Sequence, residues 1–151
     1  MNIAEDLIRD KDRMVVSVKS GSTLGEAIAA MREQNVGCIL VDKDGEFVGI
    51  WTERDLLHDV AQHGARVETQ LIDMQMSSPL LSCEWDDSVY KLMDMILGLR
   101  VRHLLVRKCG KYIGLLSIGD VLKAAVREKN RELADLNSAV SWDYYEEWKR
   151  K

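Results

Sequence analysis

The chain has 151 residues, 46% of them apolar and 30% charged, with a formal net charge of −4. That length buries one compact core or two small ones, and the composition is that of an ordinary globular protein. The acidic balance argues against a nucleic-acid binder, which offsets phosphate with a basic surface. No apolar run reaches the roughly 20 residues that span a bilayer, so no membrane role is expected. The first residues, Met1-Asn2-Ile3-Ala4-Glu5-Asp6, carry acids where a secretory signal carries bases, and the expected location is the cytoplasm. Cys38, Cys83 and Cys109 fit neither a metal spacing nor a disulfide framework. Cys38 lies in the apolar run Gly37-Cys38-Ile39-Leu40-Val41 and is expected to be a buried, reduced thiol.

In chain order, a short strand is expected at Met14 to Val18. Thr23-x-x-Glu26 has the form of a capping box. It opens a helix whose Leu24, Ala27, Ile28 and Met31 share one face. A strand at Cys38 to Val41, a turn at Asp44-Gly45 and a strand at Phe47 to Trp51 predict a hairpin, and a helix starts at Thr52. The stretch from Gly64 to Ser78 lacks Gly/Ser/Pro bias and predicts a short helix rather than a flexible linker. Pro79, the only proline, marks a new beginning.

The same elements then recur: a strand at Leu80 to Cys83 and a helix face of Val89, Leu92, Met93 and Ile96. They continue with a strand at Leu104 to Val106, a turn at Cys109-Gly110, a strand at Tyr112 to Leu116 and a helix from Ser117 to about Leu136. The two copies align without a gap at a constant offset of 65, pairing Val36 with Val101, Gly49 with Gly114 and Asp55 with Asp120. The fold class is therefore α/β (α+β), with β-α-β-β-α occurring twice and a helical extension at the C-terminus. The boundaries are 8–63 for the first repeat, 64–78 for a connector, 79–130 for the second repeat and 131–151 for a helical, aromatic tail.

Each repeat carries Gly-h-x-(Ser/Thr)-x-x-Asp, where h is apolar. It reads Gly49-Ile50-Trp51-Thr52-Glu53-Arg54-Asp55 and Gly114-Leu115-Leu116-Ser117-Ile118-Gly119-Asp120. With Val101-Arg102-His103-Leu104, this pattern resembles the CBS (cystathionine-β-synthase) domain family, in particular small stand-alone bacterial CBS-pair proteins (Bateman modules). The resemblance covers about residues 8 to 130. Leu105 departs from it, standing where many relatives have proline. Thr52-x-x-Asp55 and Ser117-x-x-Asp120 equally fit a helix capping box, so the signature alone leaves open whether a ligand binds.

The resemblance implies that the repeats pack about a pseudo-twofold axis with two clefts, each taking its signature from one repeat and its wall from the other. The Asp120 site would gather Ser117, Arg102 and His103, walled by Ser22, Ala27, Val36, Gly37 and Cys38. The Asp55 site would gather Thr52, with Asp87, Leu92 and Val101 as its wall, and Arg54 as the one nearby cation. An Asp carboxylate can accept ribose hydroxyls, and a helix N-terminus favours phosphate. Arg102 and His103 have Gly37 and Cys38 as their counterparts, so the Asp120 site is expected to bind a phosphorylated adenosine more tightly. Arg102 also reads as a solvent-facing strand-end arginine.

The implied function is a regulatory module that senses AMP, ADP, ATP or NAD(H), requires no cofactor and acts on a protein partner, with a homodimer expected. The alternatives are a ligand-free interaction module and a CBS pair binding S-adenosylmethionine. No nucleophile–base–orienter set supports an enzyme. His58 and His63 read as surface residues rather than metal ligands. Val126, Leu133, Leu136 and Val140 make a sparse stripe at near-heptad spacing, broken by Lys129. The aromatic cluster from Trp142 to Trp148 is expected to serve an interface.

Overall fold

The computed structural model describes residues 2–11 and 15–149, with side chains as far as residue 138. The side chains of the aromatic cluster Trp142 to Trp148 and of Val140 at the end of the stripe, and Met14 at the head of the first expected strand, lie outside what is described. The chain divides into two compact units. One is Arg13–Leu81; the other joins Met1–Asp12 to Ser82–Lys151.

The first unit has a three-stranded sheet of β1 (Ser17–Lys19), β2 (Cys38–Lys43) and β3 (Glu46–Thr52), in that order. β1 runs parallel to β2, and β3 runs antiparallel to it. The second unit repeats this arrangement with β4 (Ser82–Glu84), β5 (His103–Lys108) and β6 (Lys111–Ser117). Asp44 and Gly45 both have positive φ, 55° and 88°, as do Cys109 and Gly110, 50° and 77°. Two successive positive φ values give the turn whose twist matches that of the flanking strands, which fixes both hairpins.

Helix α2 (Leu24–Gln34) buries Leu24, Ala27 and Met31 against its sheet, and α5 (Val89–Leu99) buries Val89, Leu92 and Ile96. Spacings of three and four put these side chains on one face. After β3 comes α3 (Glu53–His63), and after β6 comes α6 (Ile118–Lys149), which runs well past the expected end at Leu136. The stretch expected as a connector forms a 3-10 helix (Gly64–Thr69) and α4 (Ile72–Gln75). Val67 and Ile72 enter the core of the first unit, so this stretch is part of that unit rather than a spacer. The two cores are not copies of each other. Trp51 is fully buried and its Nε1 donates to Oδ2 of buried Asp59 at 2.8 Å, where the second unit has Leu116 and Ala124.

A helix without any trace in the repeat pattern opens the chain. α1 (Ala4–Arg9) buries Ala4 and Leu7 in the core of the second unit. The Ala4 N–H donates to Asp87 O at 2.9 Å, and the Val89 N–H to Asn2 O at 3.1 Å. In the first unit the Ile72 N–H donates to Ser22 O at 2.9 Å, and the Leu24 N–H to Gln70 O at 2.8 Å. Thus residues 2–8 and 70–76 are equivalent segments, each docked on the repeat that does not follow it in sequence. Their offset is 68 (Ala4 with Ile72, Ile8 with Met76), three more than that of the repeats.

The signature glycines admit these segments. A Cβ on Gly114 would lie 2.5 Å from Ile8 Cδ1, and one on Gly49 would lie 2.1 Å from Met76 Sδ. Glycine is needed here for close approach. Gly114→Ala is therefore expected to cost about 1–3 kcal/mol by overpacking. Adding Ile8→Ala should recover part of that loss, which a double-mutant cycle in urea measures. Fully additive losses would mean that Ile8 does not press on Gly114.

Candidate functional site

Both signatures close the N-terminus of a helix. Thr52 caps α3: its Oγ1 accepts the Asp55 N–H at 3.3 Å. Asp55 Oδ2 accepts the Thr52 N–H and Oγ1–H, both at 2.9 Å. At α6, Ser117 Oγ accepts the Asp120 N–H at 3.3 Å, while Asp120 Oδ2 accepts from Ser117 N at 2.8 Å and Oγ at 2.7 Å. These are capping boxes with aspartate in the fourth place. Capping uses Oδ2 of each aspartate, and among the described residues no hydrogen bond reaches Oδ1 of either one.

Sheet register sets the start of one strand beside each cap. Cys38 pairs with Thr52 and His103 with Ser117. The Glu53 N–H donates to Gly37 O at 3.0 Å, and the Ile118 N–H to Arg102 O at 2.8 Å. Ser117, Asp120, Arg102 and His103 therefore come together, with Arg102 exposed and His103 half-buried. Thr52, Asp55 and exposed Arg54 form the matching group, in which Gly37 and Cys38 take the places of Arg102 and His103. Gly37 lines a pocket of about 340 Å³ together with Ile28, Met31, Arg32, Val36, Glu53 and Leu56 among others. A Cβ on Gly37 would stand 3.0 Å from Glu53 Oε2.

The wall residues expected from the resemblance have different fates. Ser22 and Val36 in the first unit and Val101 in the second are half-buried. Ala27 and Leu92 have no exposed surface and pack in the cores of their own units, on the faces that α2 and α5 turn toward their sheets. Asp87 is buried, accepts the Glu84 N–H at 2.9 Å through Oδ2, and pairs with Lys91 through Oδ1. Its charge is thus compensated locally. Cys38 is half-buried rather than buried, because it stands at the first position of β2. The buried thiol is Cys83, pushed up to about 12 by burial.

His58 is exposed, and half-buried His63 lies 3.2 Å from Gln75 Nε2. Among the described residues no group of three or more His, Cys, Asp or Glu could hold a metal ion. No helix among them is long and apolar enough to cross a membrane.

One site residue escaped the sequence pattern. Lys11, just past α1, donates from Nζ to Asp120 Oδ2 at 2.7 Å and to Leu115 O at 3.1 Å. It lies 109 residues from Asp120 in a segment outside the 65-residue register, so no local spacing points to it. Burial pushes the Asp120 carboxyl up, but the Lys11 ammonium and the Ser117 N–H and hydroxyl outweigh it and hold the group below its usual range. The second signature therefore sets one acid, Asp120, against two cations, Lys11 and Arg102. The first sets two acids, Glu53 and Asp55, beside Arg54, with Arg32 lining the adjoining pocket.

A depressed folded-state pKa contributes stability that is present above the ordinary carboxylate range and is lost as pH falls through the folded value. The difference in melting temperature between the wild type and Lys11→Met should therefore be largest near neutral pH and shrink below about pH 4. Thermal melts from pH 7 to pH 3 measure it, and a difference that grows on acidification would contradict the pairing.

The family model described as CBS domain matches residues 5–62 and 71–127. A mitochondrial CBS domain-containing protein of Arabidopsis thaliana, CBSX3, is 33% identical over 127 residues. The match covers 81% of this chain and 62% of that protein, so the chain spans less than two thirds of its relative. The crystal structure of a CBS-domain containing protein from Agrobacterium tumefaciens superposes with a TM-score of 0.74 at 36% identity, covering 82% of this chain and 98% of that one. A CBS domain protein of Pyrobaculum aerophilum, complexed with AMP, shares the fold with a TM-score of 0.68 at 24% identity, covering 79% of this chain and 89% of that one.

Proposed function

The chain belongs to the CBS domain family, and we propose that it is a regulatory module whose two signatures bind adenine nucleotides and whose occupancy is read by a partner protein. The observation that carries this reading is the same at both signatures. A capped helix N-terminus, which favours an anion, adjoins a carboxylate with one oxygen open to a hydroxyl. Those two features match a phosphate and a ribose on one molecule. The AMP bound by the Pyrobaculum relative supports the same ligand class.

The two signatures differ in charge and so in preferred ligand. Lys11 and Arg102 favour a phosphorylated adenosine, AMP, ADP, ATP or NAD(H), at Asp120. One charge-assisted hydrogen bond is worth about 1.5–3 kcal/mol, or roughly tenfold or more in affinity. Glu53 beside Asp55 sets a second acid against Arg54 and Arg32, so a phosphorylated adenosine is expected to bind more weakly there. S-adenosylmethionine, which carries a sulfonium cation and no phosphate, is the alternative ligand. Isothermal titration of AMP into Asp120→Asn and Asp55→Asn, which keep the shape of the cap, should show the larger loss for Asp120→Asn; equal losses would overturn the inequality. A ligand held at 100 times its dissociation constant should stabilise the protein by about 2.7 kcal/mol. No thermal shift with AMP, ADP, ATP, NAD(H) or S-adenosylmethionine would leave a ligand-free interaction module as the reading.

We also propose a homodimer. Leu57 on α3 and Leu122 on α6, equivalent at the offset of 65, are 73% and 47% exposed. Val126, Leu133 and Leu136 extend the apolar stripe along α6 with more than half of each side chain exposed. Exposed apolar surface of this kind supports an interface role for the stripe. Sedimentation should give a dimer that Leu133→Glu with Leu136→Glu converts to a monomer; a wild-type monomer would overturn the assignment.

A further inference from the structure

We propose that Lys11 is a specificity-determining residue of the Asp120 site, selecting a phosphorylated nucleoside over the bare nucleoside. The inference rests on the nucleotide reading above and deepens it. The ammonium carries three N–H donors. Two are held, by Asp120 Oδ2 at 2.7 Å and by Leu115 O at 3.1 Å, so the cation is fixed in position with one donor to spare. The side chain is only 26% exposed and that of Asp120 30%, so water screens the pair weakly. The Lys11 N–H itself donates to Ile8 O at 3.1 Å, and Ile8 is seated on Gly114. The packing of the N-terminal segment thus sets where the cation stands.

Its place in the site gives it a selective effect. Ser117 Oγ and Lys11 Nζ each lie 2.7 Å from the same oxygen, so the ammonium stands beside the helix N-terminus. A phosphate at that N-terminus gains a charge-assisted partner. A bare nucleoside, held through its hydroxyls at Asp120 Oδ1, makes no such demand. Lys11 also cancels the charge of Asp120, which would otherwise repel an incoming anion. The first unit has no equivalent, because the offset of 68 puts Pro79 where the second unit has Lys11. The two signatures thus differ at a position that lies outside both of them.

The test is calorimetric titration of AMP and of adenosine into the full chain, as wild type, Lys11→Met and Lys11→Arg. Lys11→Met is expected to weaken AMP about tenfold and adenosine by less than about threefold, with Lys11→Arg restoring AMP to within about threefold of wild type. Equal losses for AMP and adenosine, or an unchanged AMP affinity in Lys11→Met, would overturn the inference. If Lys11→Met is unfolded at the assay temperature, Lys11→Gln, which keeps a donor for Leu115 O, is titrated under the same criteria. Unchanged AMP binding in Lys11→Met, in a chain where Asp120→Asn still abolishes it, refutes the role of Lys11 alone. A wild type that binds neither AMP nor adenosine refutes the nucleotide reading and this inference with it.

Discussion

One oxygen atom, Oδ2 of Asp120, is held by three donors, two from Ser117 close by in the chain and one from Lys11, 109 residues away. The Ser117 N–H and hydroxyl tie it to the end of β6, and the Lys11 ammonium ties it to the segment after α1. The start of α6, the end of the hairpin and the N-terminus are therefore fixed together at one charged point. Each residue of the signature has a part in this. Gly114 gives room for Ile8, Ser117 caps the helix, and Asp120 closes the box while leaving Oδ1 open. The motif thus has structural work of its own, apart from any ligand.

Duplication reproduced the frame and not the charges. Asp55 makes the same cap with Thr52, and Met76 sits on Gly49 as Ile8 sits on Gly114. Around that shared frame, Gly37 replaces Arg102, Glu53 replaces Ile118 and Pro79 replaces Lys11. These changes remove two cations and add an acid around the first cap, while Arg54 in place of Gly119 adds one cation back. The core diverged too: the Trp51–Asp59 hydrogen bond has only Leu116 and Ala124 in its place. The equal folds of the two units thus carry different charges around their caps.

Much of this was legible in the sequence because strand register and helix phase are local. The offset of 65, the paired turns at Asp44-Gly45 and Cys109-Gly110, and the apolar faces of α2 and α5 all follow from short-range patterns. What stayed hidden depends on long-range docking. α1 is six residues long, too short for a helical stripe to declare itself, and it follows an offset of 68. Its attachment to the second unit, and with it the Lys11–Asp120 pair, has no local signal.

The inequality of the two signatures is open to direct observation by titrating AMP into isotopically labelled protein and following backbone amide resonances. The amides of Ser117 and Asp120 should shift and saturate at an AMP concentration at least about tenfold lower than those of Thr52 and Asp55. Simultaneous saturation of both sets, or earlier saturation at Thr52 and Asp55, would contradict the account.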